Sequence, residues 1–306
     1  MIVTGACGRL GRRLVQQLHR MLTVVGVDER PFVGKPEDVI FHQVPLTSHR
    51  VRELFKAGDV QALVHLGVSH NTHKPDAERH RRNVVAVQSL LEGAREGGLA
   101  KVVLLSSANV YGPRPDNPQF LKETAPLLAA GPFSDIRDLV EVDMLVQSFM
   151  WQHADLETVI LRPTHVLGTV HNAPSNYLRL PMVPTILGFD PMVQVVHQQD
   201  VVQALVLALK PGIRGAFNIA GPPPVPLAQA LKLLKRATVG VPHGLAKVTI
   251  DGLFKAKMSN FPAPELDFIR YVCMVDDQLA RETLGYRHKF DLVQTLQAVD
   301  AERWVA

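Results

Sequence analysis

The sequence predicts an α/β protein, a doubly wound parallel sheet with a smaller C-terminal lobe woven into it. Three observations predict this. Short apolar runs alternate with helix-period segments through the first half of the 306 residues. A glycine-rich turn separates the first of those runs from the first helical segment. The second half changes character, with Pro and Gly clustered at 174–191 and 221–224.

The elements follow in order. Residues 1–3 read as a strand and 9–21 as a helix. Residues 22–27 are a β-branched strand, and 39–44 a third, followed by a helix around 48–57. Residues 62–66 form a continuous apolar run, suited to a parallel strand buried on both faces. A long helix is expected at 80–96, a buried strand at 101–106, a long helix at 134–153 and a strand at 158–162. Farther on come a helix at 200–209, a strand at 216–220, and helices at 227–236 and 275–284, the last ending at Gly285. Strands alternating with helices imply a parallel sheet with right-handed crossovers. The expected division is a larger unit at 1–165, to which 193–221 returns, and a lobe made of 166–192 and 222–306. Segment 178–193 is unusually apolar for a loop, which suits a pocket lining, a partner surface or packing between the lobes.

Composition excludes several classes. Apolar residues make up 46% and charged residues 20%, the balance of a soluble globular protein. The net charge of +4 is spread evenly, with no basic tail or stripe, so no nucleic acid partner is expected. Two cysteines, Cys7 and Cys273, cannot build a disulfide framework, which suits a reducing compartment. No apolar run approaches the ~20 residues that span a bilayer, and no leader pattern precedes the first strand. The reading is cytoplasmic, with no membrane partner.

The turn reads Thr4-Gly5-Ala6-Cys7-Gly8-Arg9-Leu10-Gly11. Gly5 permits a tight turn, Gly8 lets the backbone approach a pyrophosphate, and Gly11 allows close helix–strand packing. Phosphates would sit at the helix N-terminus, where N–H groups and the helix dipole favour anions. Strand two ends at Asp28, placed for a ribose 2′-hydroxyl. A carboxylate there repels a 2′-phosphate, so NAD is preferred over NADP, a preference that Arg9 and Arg30 blur. Cys7 lies near a helix N-terminus, which would lower its pKa, although a small packing residue is the simpler reading.

With these residues the chain resembles the extended short-chain dehydrogenase/reductases, the NAD-dependent epimerase/dehydratase family. The resemblance runs nearly the whole length. It rests on the glycine turn, Val64-His65-Leu66-Gly67, Asn83, and Ser107-x-x-Val110-Tyr111-Gly112. It continues through Leu161-Arg162-Pro163, His197-x-x-Asp200, Phe217-Asn218-Ile219-Ala220-Gly221 and Leu284-Gly285-Tyr286. It implies a Rossmann-type fold and a homodimer formed through the helices near 80–96 and 135–153. The resemblance also implies cofactor contacts from Gly5, Cys7, Gly8, Arg9, Leu10, Gly11, Asp28, Leu66, Gly67, Asn83, Ser106 and Pro163. Substrate contacts are expected from His70, Asn109, His165 and Tyr177.

The departure is in the chemistry. In the family a Tyr moves the proton of the substrate hydroxyl, a Lys four residues on lowers its pKa, and a Ser or Thr holds the reacting oxygen. Ser107 fits the last role. Read back from Glu141 and Asp143, the register puts Asp135 at the Tyr position and Leu139 at the Lys position. A free Asp has a pKa of about 3.9, too acidic a conjugate acid to make a good base towards an alcohol. The acidic pair of the family's dehydratases is replaced by Ala108-Asn109, and His165 and Val193 stand where its epimerases contact substrate phosphates. The adenine-contacting Asp of the family is replaced by Pro45-Leu46.

Three functions follow. The first is an NAD(P)-binding protein with lost or strongly altered catalysis. The second is an active oxidoreductase or epimerase on a small hydroxyl or carbonyl substrate, with Ser107 kept and Asp135, Tyr177 or His165 as the rewired base. The third is a cofactor-free interaction module. His70, His73 and His80 lack metal-ligand spacing, so no metal is expected.

Overall fold

The computed structural model describes residues 1–56, 60–66, 76–130, 134–170, 172–244, 271 and 273–302, with side chains described except at 134, 135 and 302. Its first half runs β1 (Ile2–Thr4), α1 (Arg9–Leu18), β2 (Val25–Asp28), β3 (Ile40–Gln43), α2 (His49–Lys56), β4 (Ala62–His65) and α3 (Asp76–His80). A π-helical turn at Arg81–Val85 leads into α4 (Ala86–Glu96), followed by β5 (Lys101–Leu105), α5 (Ser134–Gln152) and β6 (Glu157–Pro163). Then come β7 (His165–Leu167), α6 (Ala173–Arg179), β8 (Met182–Ile186), β9 (Met192–Val193), β10 (Val195–His197) and α7 (Gln198–Ala208). The chain continues through β11 (Gly215–Ile219), β12 (Val225–Pro226), α8 (Leu227–Leu233) and β13 (Ala237–Val241).

Seven strands make one parallel sheet in the order β11-β6-β5-β4-β1-β2-β3. Alternation along each strand splits its side chains between two cores, as a sheet covered on both faces requires. Ile2, Val102, Leu104 and Ile160 face one side, against α2, α4 and α5. Val3, Val103, Val159 and Leu161 face the other, against α1 and α7. Segment 195–219 contributes Val196, Leu205 and Phe217 to that second core. A third cluster joins Leu167, Leu178, Val183, Val195, Leu227, Leu231 and Leu296.

Three expected elements differ. The helix expected at 80–96 is α3, a π turn and α4. The widened turn has Ala86 N–H reaching back to the carbonyl of Arg81, and Asn83 within it is buried. The helix expected from 275 starts later, because Val275 is extended. Its N–H donates to Gln194 Oε1 and its carbonyl accepts from Gln194 Nε2, and it bridges Leu121. Segment 178–193 is not a loop. It holds β8, paired in parallel with β13, and β9, paired with β12. Val183 and Ile186 are buried there, while Met182 and Leu187 face outward. No described helix is long and apolar enough to cross a membrane.

Candidate functional site

The strand order reverses between β1 and β4, and such a switch point opens a crevice at the carboxyl ends of the strands. The glycine turn follows β1 at that end. Gly5 has φ +76°, and its N–H donates to the carbonyl of Val27 at 2.9 Å. A Cβ there would lie 3.1 Å from the carbonyl oxygen of Leu66, so turn and β4 end meet. A Cβ on Gly11 would lie 2.3 Å from the carbonyl oxygen of Gly5, a clash that only a shift of backbone could relieve. Gly8 caps α1 without a side chain, and the first turn of α1 has no acidic residue. The helix dipole is therefore left for an anion. Arg9 and Leu10, both half-buried, open the helix. These features fit a dinucleotide pyrophosphate.

Asp28 ends β2 beside the turn and is 7% exposed. Its Oδ2 accepts from Cys7 N–H at 3.0 Å and Arg30 Nη2 at 2.9 Å. Its Oδ1 accepts from Arg30 N–H and Arg30 Nε, each at 3.0 Å. Burial alone would raise the carboxyl pKa, but these partners outweigh it and hold the group below its ordinary value. The thiol of Cys7 is shifted the opposite way from a helix-terminus effect. Burial, then the charge of Asp28, push it up to about 11, and it donates to the carbonyl of Arg30 at 3.2 Å. The packing reading of Cys7 suits this geometry.

One strand further along the sheet, Ser106 and Ser107 follow β5. Ser107 caps a short 3-10 turn at Ala108–Tyr111, with its Oγ accepting from Asn109 N–H at 3.2 Å. It is half-buried, as is Asn109. Ser106 Oγ donates to Asp143 Oδ2 at 2.6 Å. Asp143 also takes both arms of Arg162, Nη2 at 2.6 Å and Nε at 3.0 Å, with both side chains fully buried. Burial would lower the pKa of the guanidinium, yet the Asp143 carboxylate holds it above its ordinary value. Arg162 Nη1 donates to Tyr111 Oη at 2.8 Å, and Tyr111 Oη donates to Asn218 Oδ1 at 2.8 Å. Burial pushes the Tyr111 phenol up to about 12, so it stays protonated. Pro163 closes β6 opposite Ile219.

Helix α5 carries Asp143 and, one turn earlier, Leu139. Leu139 is 4% exposed and packs in the core with Ala108, Tyr111 and Val140. The side chain of Asp135 lies outside the described residues, as do Gly67, His70 and His73. Asn83 is 3% exposed, and its Nδ2 donates to Asp138 Oδ2 at 2.9 Å. It ties the π turn to α5. Arg79, 3% exposed, lies 3.6 Å from the same Asp138 and pairs with Asp76 at 2.7 Å.

The two remaining candidates stand toward the third core cluster. His165 opens β7, and burial lowers its pKa to about 4, so it is neutral near pH 7. Tyr177 donates its hydroxyl to the carbonyl of Pro184 at 2.7 Å, and burial raises its pKa. A phenol committed in this way is poorly placed to exchange protons. The structure thus brings the turn and Asp28 together and sets the serines at the end of β5, where the sequence reading expected them to act. That reading assigned no role to Asp143, Tyr111 or Asn218, nor to the pairing of Arg30 with Asp28. Arg162 and Asn218 stood within quoted motifs, but their partners are 19 to 107 residues away.

Comparison with known proteins bears on the same residues. The chain is 27% identical over 311 residues to an uncharacterized protein of Mycobacterium tuberculosis, covering 96% of this chain and 81% of that protein. It is 25% identical to a 4-hydroxy-2-methyl-3-oxo-4-farnesyl-3,4-dihydroquinoline-1-oxide ketoreductase of Stigmatella aurantiaca, covering 97% and 94%. Its fold is similar to UDP-glucose 4-epimerase of Thermotoga maritima, solved with UDP-glucose. That match has a TM-score of 0.75 at 19% identity, over 99% of this chain and 98% of the other. It is also similar to a short-chain dehydrogenase/reductase superfamily protein of Agrobacterium tumefaciens with bound NAD, with a TM-score of 0.75 at 21% identity, over 99% and 96%. The model of the NAD-dependent epimerase/dehydratase family matches residues 1–220, the stretch that holds the glycine turn, Asp28, the serines and the Asp143–Arg162 pair, and the chain belongs to that family.

Proposed function

We propose that this chain is a dinucleotide-binding member of its family in which the proton-transfer pair has been replaced. It would bind NAD(H), or the phosphorylated form, and exchange hydride slowly or not at all with hydroxyl substrates. One observation carries the reading. The position one turn before Asp143 is Leu139, an apolar side chain sunk in the core. A leucine can neither lower a neighbour's pKa nor hold a ribose hydroxyl. Support for the cofactor comes from the glycine turn, from Asp28, and from the NAD bound in the Agrobacterium relative. When bound, a nicotinamide dinucleotide supplies hydride chemistry. Gly5, Gly8, Arg9, Leu10 and Gly11 would hold its phosphates and Asp28 its ribose. Leu66, Ser106 and Pro163 would border the nicotinamide side. Loss of a general acid–base typically lowers a rate by ~10²–10⁴.

A second reading, an active reductase, has one observation in its favour. Ser107 is half-buried and accepts one hydrogen bond, and no described residue accepts its proton. That leaves the hydroxyl for a substrate oxygen, and one relative is named as a ketoreductase. The test is NADH formation from NAD with sugars and alcohols, and NADH consumption with ketones. The main reading expects turnover that is absent, or slow and independent of Ser107. Turnover that disappears in Ser107→Ala would replace it with the second. The cofactor-free reading, favoured by no observation of the geometry, requires that no dinucleotide bind.

The same reading has the chain working in the cytosol as a homodimer. Support comes from Val85, Met144 and Trp151 on the helices near 80–96 and 135–153, which are 45%, 55% and 77% exposed. Apolar side chains at the outer faces of neighbouring helices suit a helix-to-helix interface. Sedimentation of the wild type as a dimer and of Trp151→Glu as a monomer is the expected result.

A further inference from the structure

The fork of Arg30 occupies the atoms that a cofactor ribose would need. An ionised carboxylate offers about four acceptor positions. Those of Asp28 are taken by two backbone N–H groups, from Cys7 and Arg30, and by two N–H groups of the Arg30 side chain. The Arg30 side chain is 63% exposed, while Asp28 is buried, so the fork is the movable partner. It also overhangs the phosphate cradle, since a Cβ on Gly8 would lie 3.8 Å from Arg30 Nη2.

We infer that Arg30 selects the dinucleotide, latching Asp28 in the free protein and pairing with a 2′-phosphate when one arrives, so that the site takes NADP(H) at least as readily as NAD(H). The inference rests on the dinucleotide reading above and reverses the preference that Asp28 alone predicts.

The argument is an exchange of partners. To accept the ribose hydroxyls of NAD, Asp28 must give up a charge-assisted bidentate pair for two neutral donors. Charge-assisted bonds are roughly twice as strong as neutral ones, so that exchange is unfavourable. With NADP the displaced guanidinium meets a phosphate and rebuilds a charged pair, for which its planar fork is suited. Asp28 keeps the amides of Cys7 and Arg30, so it is not left bare. Glu29 is paired with Arg82, and Arg12 donates to the carbonyl of Cys7 and lies over the ring of Phe32. Arg82 also lies 3.6 Å from Glu78, so three carboxylates (Asp28, Glu29 and Glu78) stand with three guanidiniums (Arg12, Arg30 and Arg82). Arg9 opens the adjoining helix.

The test is calorimetric titration of the full chain, freed of nucleotide, with NADH and NADPH, in the wild type and in Arg30→Ala. Arg30→Gln is run alongside, with its length kept and its charge removed, and the unfolding midpoint of each variant checks its fold. The wild type is expected to bind NADPH no more weakly than NADH. Either variant should then shift the ratio of the two dissociation constants toward NADH by about tenfold, the scale of one charged pair. Salt should weaken NADPH more than NADH. Wild type that prefers NADH, with a ratio unmoved by both variants, would overturn the inference and leave the dinucleotide reading intact. Binding of neither dinucleotide to wild type would overturn both.

Discussion

The glycine turn and the start of α5 lie at the carboxyl ends of one sheet, yet they differ in what they have kept. At the turn the glycines stand where the backbone leaves no room for a side chain, down to the 2.3 Å that a Cβ on Gly11 would leave to Gly5. At α5 the frame is intact, with Asp143, Arg162, Ser106 and Tyr111 locked together, but the position one turn earlier holds a buried leucine. The difference teaches that the buried network serves the fold independently of the proton pair. A fully satisfied set of buried polar groups keeps its stabilising value whether or not catalysis survives.

The largest expected effect breaks the intact side. Asp143→Ala leaves the fully buried Arg162 without its carboxylate, and such orphaned charges cost about 3–5 kcal/mol. Chemical denaturation should show that loss. A loss under ~1 kcal/mol would mean that the network is not what holds α5 to β6.

Leu139→Lys probes the other side of the comparison. If Leu139 is a core residue, a lysine there is buried without a partner and should cost several kcal/mol, or ionise with a depressed pKa. Unchanged stability would show that the position opens onto a solvated site.

A third effect depends on pH. His65 is buried behind the turn, with Nδ1 2.7 Å from Thr4 Oγ1, and burial lowers its pKa from 6.5 to about 4. The unfolded chain therefore binds the proton more tightly than the folded one in that window. Stability is full above pH 6.5 and falls as the pH drops toward about 4, by ~3 kcal/mol from this residue. His165 and His197 are lowered in the same direction. Unfolding midpoints at pH 7 and 5 check the sign, and His65→Gln should flatten the slope.

The smallest stability effect expected is that of Gly11→Ala, about 1–3 kcal/mol for a forced backbone shift. Its effect on dinucleotide affinity should exceed its effect on stability, because the turn must move.

The contrast between the two regions also explains what the sequence made legible. The turn is local, eight residues whose backbone demands are written in their glycines, so its geometry and the end of β2 followed directly. The buried-on-both-faces strands announced themselves as continuous apolar runs. The network around Arg162 joins residues up to 107 positions apart, and no spacing rule connects them. The π turn before α4 changes the register of one helix by one residue, below what apolar periodicity resolves. The fork of Arg30 on Asp28 is two residues long in sequence but depends on rotamers, which composition does not carry. Segment 178–193 misled because β8 finds its partner in β13, some fifty residues on, and its apolar alternation has meaning only in that pairing.

The measurement that tests the account most directly is calorimetric titration of the nucleotide-free chain with NADH and NADPH, followed by a hydride-transfer assay on the same preparation. The account predicts saturable binding of at least one of them and no turnover that depends on Ser107. Failure of both to bind, or turnover lost in Ser107→Ala, would contradict it.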